Sequence, residues 1–354
     1  MDISMHKMRI QKLLHKMHAQ SCEACLIQNP VDLFYLTGIQ LSAGKLCVHA
    51  QETILFVDGR YLQAAQEKAP MKVCLDEKDA MLAFLHAHKC KSVWFDGQHT
   101  SYEAYLKWKQ MLKGIEFISN ASFFKTLRVL KDHEEIDKMK KSASLLWQGF
   151  QYIRSKLQEG ITEREISKSF EIFCLEKGGE GLAFEPIIAF GPHSALPHYR
   201  SKHETLQSGD IVLIDIGVIV EQYHSDMTRV LFFGPTNPDL ETLYRINKAA
   251  HDAALKVCRP GIPISIVDRA ARDVMIEHHV EHLFVHSLGH GIGLETHEFP
   301  RIKWDGEDKD VLLEPGMIFT IEPGLYMPGK GGVRYEDTIL ITKTGYENFF
   351  PDGI

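Results

Sequence analysis

The sequence predicts an α+β protein in two parts, a smaller α/β layer over residues 1–125 and an α+β domain over 126–354. Three observations carry this. Helical and strand patterns alternate regularly through the first 125 residues, as in an α/β layer. From Asp132 a helical run places apolar residues three and four apart without a miss. Beyond residue 185 the short apolar strands look paired by turns, which favours α+β over a doubly wound sheet. A length of 354 residues also suits two domains at about 150 residues each.

In the first part, His6–Met17 is a short amphipathic helix and Ala24–Ile27 an apolar strand. Lys45–His49 and Thr53–Val57 read as strands around a polar turn. Tyr61–Lys68, Ala80–His88 and Tyr102–Leu112 are helical patterns. Between them lie the strand candidates Met71–Cys74, Ser92–Phe95 and Ile115–Ile118. No phosphate loop or Gly-x-Gly-x-x-Gly is present in this part.

After a boundary near Lys125, a long helix carries Ile136, Met139, Ala143, Leu146, Phe150, Ile153 and Leu157 on one face. Asp132 and Glu135 have capping-box spacing at its start. Thr162 and Glu165 form a second box, with Ile161 and Ile166 placed as a hydrophobic staple. Gly178-Gly179 ends that helix. Helices over 239–257 and 264–279 follow, separated by Arg259-Pro-Gly-Ile-Pro263.

Composition narrows the function. Apolar residues are 44%, charged residues 25% and the net charge is −7, ordinary for a soluble globular protein and unlike the basic face of a nucleic-acid binder. The most apolar stretch, 211–220, is far below the ~20 residues that span a bilayer. The N-terminus shows no secretory leader, and seven scattered cysteines suit a reducing compartment, so a cytoplasmic protein is expected. Cys22 and Cys25 form one C-x-x-C without the second pair that a zinc site would want.

The chemistry concentrates after residue 185. Asp215 stands mid-strand among Val, Leu and Ile, where an unpaired carboxylate is costly to bury. Taken singly it could turn to solvent or meet an arginine. A hairpin of 211–219 with 224–233, centred between Val220 and Glu221, would set Asp215 opposite Asp226. Glu322 and Glu336 lie symmetrically about Gly329 in a turn-rich stretch, so a second hairpin would oppose two more acids. Two such pairs are hard to explain as solvated surface, because like charges at that distance repel unless a cation lies between them.

Histidines complete the set. His286, His290 and His297 fall between the two acidic hairpins. Glycines at 289, 291 and 293 disfavour the alternative, in which His282, His286 and His290 line one helix face. His198 sits in a Pro-bounded loop, and His193 in the same loop reads as an ordinary polar residue. Four carboxylates and a neutral imidazole match two divalent cations in charge, with Mn²⁺, Co²⁺ or Zn²⁺ suited to such oxygen-rich ligands. Two such cations support hydrolysis.

These residues resemble the pita-bread metallopeptidases, the family of methionine aminopeptidase, aminopeptidase P and prolidase. The resemblance rests on Leu213-Ile-Asp-Ile-Gly217, Ser225-Asp-Met-Thr-Arg229, Ser287-Leu-Gly-His-Gly-Ile-Gly-Leu-Glu-Thr-His-Glu298, Thr320-Ile-Glu-Pro-Gly324 and Gly332-Val-Arg-Tyr-Glu-Asp337, in that order. The first part, with Asp58-Gly-Arg-Tyr61, resembles a creatinase/prolidase-type N-terminal domain. The resemblance implies that Asp215 chelates the first metal and that Asp226 and Glu336 bridge both. It implies that His290 and Glu322 hold the second, with Glu322 also the general base. His198 and His297 are implied as substrate and transition-state contacts, and His286 as lining the pocket near the scissile peptide. Arg334 and Thr228 are implied as residues steadying the acids.

The extra N-terminal domain and this histidine set resemble the proline-specific branch, which cuts the bond preceding proline. Manganese is the metal favoured by the resemblance, a proline-containing peptide the substrate, and a homodimer the assembly, with no nucleic-acid or membrane partner. Arg301 matches a residue that, in archaeal-type prolidases, resembles a clamp for a dipeptide's carboxylate, so a dipeptidase is slightly favoured over an aminopeptidase. A surface arginine in a proline loop is the plain alternative for Arg301. Rival readings are a catalytically inactive pita-bread binding protein and a creatinase-like, metal-free amidinohydrolase. Both would be expected to lack the five-ligand set, which here is complete.

Overall fold

The alternation along the first part closes into a six-stranded mixed sheet. The computed structural model describes residues 3–235 and 237–351. Its strands are β1 (Ala24–Ile27), β2 (Lys45–His49), β3 (Thr53–Val57), β4 (Lys72–Leu75), β5 (Ser92–Phe95) and β6 (Glu116–Ser119), in the spatial order β4-β3-β2-β1-β5-β6. They alternate with helices α1 (Ile3–Ala19), α2 (Pro30–Thr37), α3 (Leu62–Lys68), α4 (Ala80–Ala87), α5 (Tyr102–Met111) and α6 (Ala121–Lys125). Leu26, Phe56, Phe84, Val93 and Trp108 share its core. Cys22 and Cys25 are buried here as free thiols, Cys25 facing Met17 Sδ at 3.6 Å. This unit comprises Met1–Arg128 and a second comprises Val129–Ile354.

The second unit opens with α7 (His133–Arg154) and α8 (Glu163–Glu176), and both expected capping boxes are formed in full. The first helix stops at Arg154, so Leu157 lies beyond it, packed against the same core. The strands are β7 (Gly181–Leu182), β8 (Ile187–Phe190), β9 (Ile211–Ile216), β10 (Val218–Val220), β11 (Tyr223–His224) and β12 (Met227–Phe232). Then come α9 (Pro238–Val257), α10 (Ile264–Glu277), β13 (Gly289–Gly291), β14 (Glu298–Ile302), β15 (Ile318–Ile321), β16 (Gly324–Met327), β17 (Gly331–Arg334), β18 (Asp337–Ile341) and β19 (Tyr346–Asn348).

Side-chain alternation along β9 separates two cores. Val212, Ile214 and Ile216 pack with Phe150, Ile166 and Phe170 of α7 and α8. Ile211 and Leu213 pack with Ala250 and Ala271 of α9 and α10 and with Phe319, Val333 and Ile339 of the later strands. Asp215 keeps step with Ile211 and Leu213, so the strand's own period aims it toward the second core.

The first hairpin corrects the expected register. Its turn is Glu221-Gln222, both residues at positive φ (49° and 70°), and not Val220-Glu221. Asp215 therefore pairs with Thr228, two positions from Asp226. Neither turn residue is the Asn or Gly that marks this turn type, so nothing local announced it. A slip of two residues preserves the face, and Asp226 still confronts Asp215. Gly217 permits the break between β9 and β10, since a Cβ there would lie 2.4 Å from the Ser225 carbonyl oxygen.

The second hairpin has the expected register. The β16–β17 ladder pairs Gly324 with Arg334, and the β15–β18 ladder pairs Ile321 with Asp337. One register continues through both ladders, so Glu322 and Glu336 stand level between them.

Candidate metal centre

Five segments converge. β9 presents Asp215, the break before β12 presents Asp226, and β13 presents His290. Glu322 follows β15, and Glu336 follows β17. Ligand atoms of Asp226, His290 and Glu336 all lie within 4.8 Å of one another. His290 Nε2 is 3.4 Å from Glu322 Oε1 and 3.7 Å from Asp226 Oδ2. Asp215 joins them through electrostatic contact with Asp226, Glu322 and Glu336.

The electrostatics are severe. Burial first, and then mutual repulsion, push the Asp226 and Glu322 carboxyls well above the usual range and Glu336 up to about 8. Asp215 Oδ1 and Asp226 Oδ1 are buried with no hydrogen-bond partner. His290 is neutral, its protonation depressed to about 3 by burial and by neighbouring His297. Its Nδ1–H donates to the Gly291 carbonyl at 3.1 Å, which leaves the Nε2 lone pair facing two carboxylates. Lone pairs and orphaned carboxylate oxygens aimed at one another fit divalent cations.

Around this cluster a hydrogen-bonded chain fixes the acids. Arg334 donates to Asp215 Oδ2 at 2.5 Å, to Tyr326 OH at 2.7 Å and to Thr228 Oγ1 at 3.1 Å. Thr228 in turn donates to Glu336 Oε2 at 2.7 Å. Tyr326 and His286 Nε2 meet at 2.9 Å, while His286 Nδ1 donates to the Ser287 carbonyl at 2.7 Å. Burial, with nearby Arg334, lowers His286 to about 4, so Nε2 accepts from the tyrosine. Beneath lies Arg229, fully buried, holding the Glu336 carbonyl and the Asp337 carboxylate, each at 2.6 Å.

The remaining expected residues lie at the rim. The His297 ring stands 4.3 Å from that of His290, and Arg301 pairs directly with His290 across β13–β14, which puts both on one face. The Arg301 guanidinium is exposed and has no ion pair among the described residues. His198 is exposed on the loop after β8, close enough to lower the protonation of His286 and His297.

Residues 137–343 match metallopeptidase family M24. The chain belongs to that family. Residues 9–130 match the creatinase/prolidase N-terminal domain. An Xaa-Pro dipeptidase of Pyrococcus furiosus is 34% identical over 341 residues, 96% of each chain. Among solved structures, an Xaa-Pro dipeptidase from Bacillus anthracis superposes with a TM-score of 0.93 at 29% identity, covering 99% of both chains. An X-Pro aminopeptidase from Thermotoga maritima superposes at 0.86 and 29% identity, covering 96% of this chain and 99% of that one.

The fold of this M24 chain also brings in residues that motif reading passed over. Tyr326 shares the face of Glu322 and Glu336, a parity the second hairpin already implied. Gly324 and Gly332 make room for it, since a Cβ at Gly324 would fall 2.4 Å from its hydroxyl and one at Gly332 2.7 Å from its ring. Lys131 reaches Glu298 at 3.1 Å in a nearly dry pair beside His297. No sequence signal links those two, because they meet only through the tertiary fold.

Proposed function

We propose that this M24 protein is a metal-dependent Xaa-Pro peptidase using two divalent cations, manganese first among them, held by Asp215, Asp226, His290, Glu322 and Glu336. Asp226 confronts all three other carboxylates, which supports a shared role for it, with Glu336 beside it as the second shared ligand. The observation that carries the reading is the buried pair of partnerless oxygens, Asp215 Oδ1 and Asp226 Oδ1, among acids that repel one another. When bound, such cations lower the pKa of water and polarise a carbonyl.

The chain's own groups supply the rest. Glu322 accepts a proton from the attacking water and passes it to the departing prolyl nitrogen, which leaves only when protonated. His297 and His198 contact the scissile carbonyl and the substrate from the rim. Arg334 holds Asp215, and through Thr228 it also holds Glu336, so the acids keep their places during turnover. Arg301, on the His290 face, binds the carboxylate of a dipeptide, which favours dipeptidase action. The relatives, an Xaa-Pro dipeptidase and an X-Pro aminopeptidase among them, support cleavage at Xaa-Pro. A homodimer belongs to the same proposal, and its mass in solution tests it.

Assay of Xaa-Pro dipeptides and Xaa-Pro-Yaa tripeptides with added Mn²⁺, Co²⁺ or Zn²⁺ tests the reading. Turnover that requires metal supports it. No turnover of either substrate with any of the three metals overturns it.

A further inference from the structure

His198, on the 191–202 loop, makes no hydrogen bond of its own among the described residues, yet its neighbours are held tightly. The carboxylate of Glu163, the first residue of α8, is completely buried and accepts four hydrogen bonds, three from this loop and one from Phe190 at the end of β8. Its Oε1 takes the Phe190 N–H at 2.9 Å and His193 Nδ1 at 3.1 Å. Its Oε2 takes the Tyr199 hydroxyl at 2.8 Å and the Lys202 N–H at 2.9 Å. Phe190 enters the loop and Lys202 leaves it, so one side chain clasps both ends. Tyr199, buried next to His198, also stacks on the His193 ring at 4.7 Å and 19°. The loop's far side is seated by Ser194, whose Oγ accepts the Gly332 N–H at 2.9 Å.

We propose that Glu163 is a positioning residue for His198, acting through Tyr199 and the backbone ends of the loop. This rests on the substrate role given to His198 above. The carboxylate suits the task because every group that faces it donates. A glutamine cannot replace it, since either orientation of the amide would set its NH2 against a backbone N–H, of Phe190 or of Lys202. His193 thereby gains a purpose as a brace for Tyr199.

The test uses the metal-loaded full-length protein with Glu163→Gln and Tyr199→Phe, each alone and combined with His198→Ala. Tyr199→Phe removes one hydroxyl and keeps the ring, so it serves if Glu163→Gln fails to fold. Both single variants are expected to lower kcat/KM toward the His198→Ala value, by up to about a hundredfold, as a displacement near 1 Å can. Their metal content should stay at wild-type level. In the His198→Ala background neither should lower it further, because residues acting as a unit are non-additive. Histidine-ring NMR provides the direct readout, with the His198 signal assigned by its loss in His198→Ala. That signal should shift or broaden in both variants. Unchanged His198 signals, or losses that add in the double variants, overturn the proposal. A shifted signal combined with a fully active His198→Ala supports the clasp and overturns only the substrate role given to His198.

Discussion

Arg334 donates to Asp215 at 2.5 Å across 119 positions of sequence, and among the described residues no other lysine or arginine pairs with the four clustered acids. One guanidinium therefore orders Asp215, and through Thr228 Glu336, without neutralising the group. Replacing it as Arg334→Met leaves Asp215 Oδ2 without its donor inside the protein, while the Tyr326 hydroxyl keeps only its bond to His286. Breaking such a buried pair costs about 3–5 kcal/mol. Denaturant unfolding of the metal-loaded protein should show a loss of that order, together with weaker metal binding. Wild-type stability and affinity would remove Arg334 from the account.

In the proposed site Asp226, which lies against all three other acids, and Glu336 are the shared ligands, whereas Asp215 and His290 each serve one cation. Asp226→Ala and Glu336→Ala are therefore expected to lose both cations. Metal analysis after dialysis should fall from two equivalents per chain to near zero. Two equivalents retained in either variant would contradict the shared role.

Arg301 shares a face with His290 and keeps its guanidinium free. If it grips the terminal carboxylate of a dipeptide, Arg301→Ala should raise KM for Xaa-Pro roughly tenfold to a hundredfold, the scale of a charge-assisted hydrogen bond. Longer Xaa-Pro-Yaa substrates, whose carboxylate lies elsewhere, should change little. Equal effects on both substrates would reassign Arg301 to the surface, and full-rate tripeptide cleavage would make the protein an aminopeptidase.

The acids also set a pH dependence for the metal-free protein. Glu336 is pushed up to about 8 by burial and by Asp215, and Asp226 and Glu322 are raised for the same reasons. A carboxyl with a raised folded-state value binds its proton more tightly when folded. Its stabilisation is complete below the unfolded value near 4.5 and is lost as pH rises through about 8. The metal-free protein should therefore lose stability from pH 5 to pH 8, and added Mn²⁺ should restore more stability at pH 8 than at pH 5. Thermal unfolding with and without metal measures this. A gap that narrows with rising pH would contradict the assignment.

Much of this was legible along the chain because it is local. Periodicity announced α7, and the pairs Asp132/Glu135 and Thr162/Glu165 announced two helix starts that are capped as expected. Symmetry about Gly329 announced the Glu322–Glu336 pairing, because glycine-rich turns constrain where a hairpin folds back. The first hairpin escaped by two residues, since Glu221 and Gln222 adopt positive φ without glycine. What stayed hidden is held by contacts between distant segments. Arg334 was visible as a motif residue, but its bond to Asp215 was not. Glu163, one residue past a cap that explained itself, gave no sign of the loop it holds.

The most direct test is the structure of crystals grown with Mn²⁺. Two cations are expected, with ligand atoms from all five side chains, Asp215, Asp226, His290, Glu322 and Glu336, at about 2.0–2.3 Å, typical for oxygen and nitrogen donors to a divalent metal. A single ion, or ions bound away from these five groups, would contradict the two-cation hydrolase.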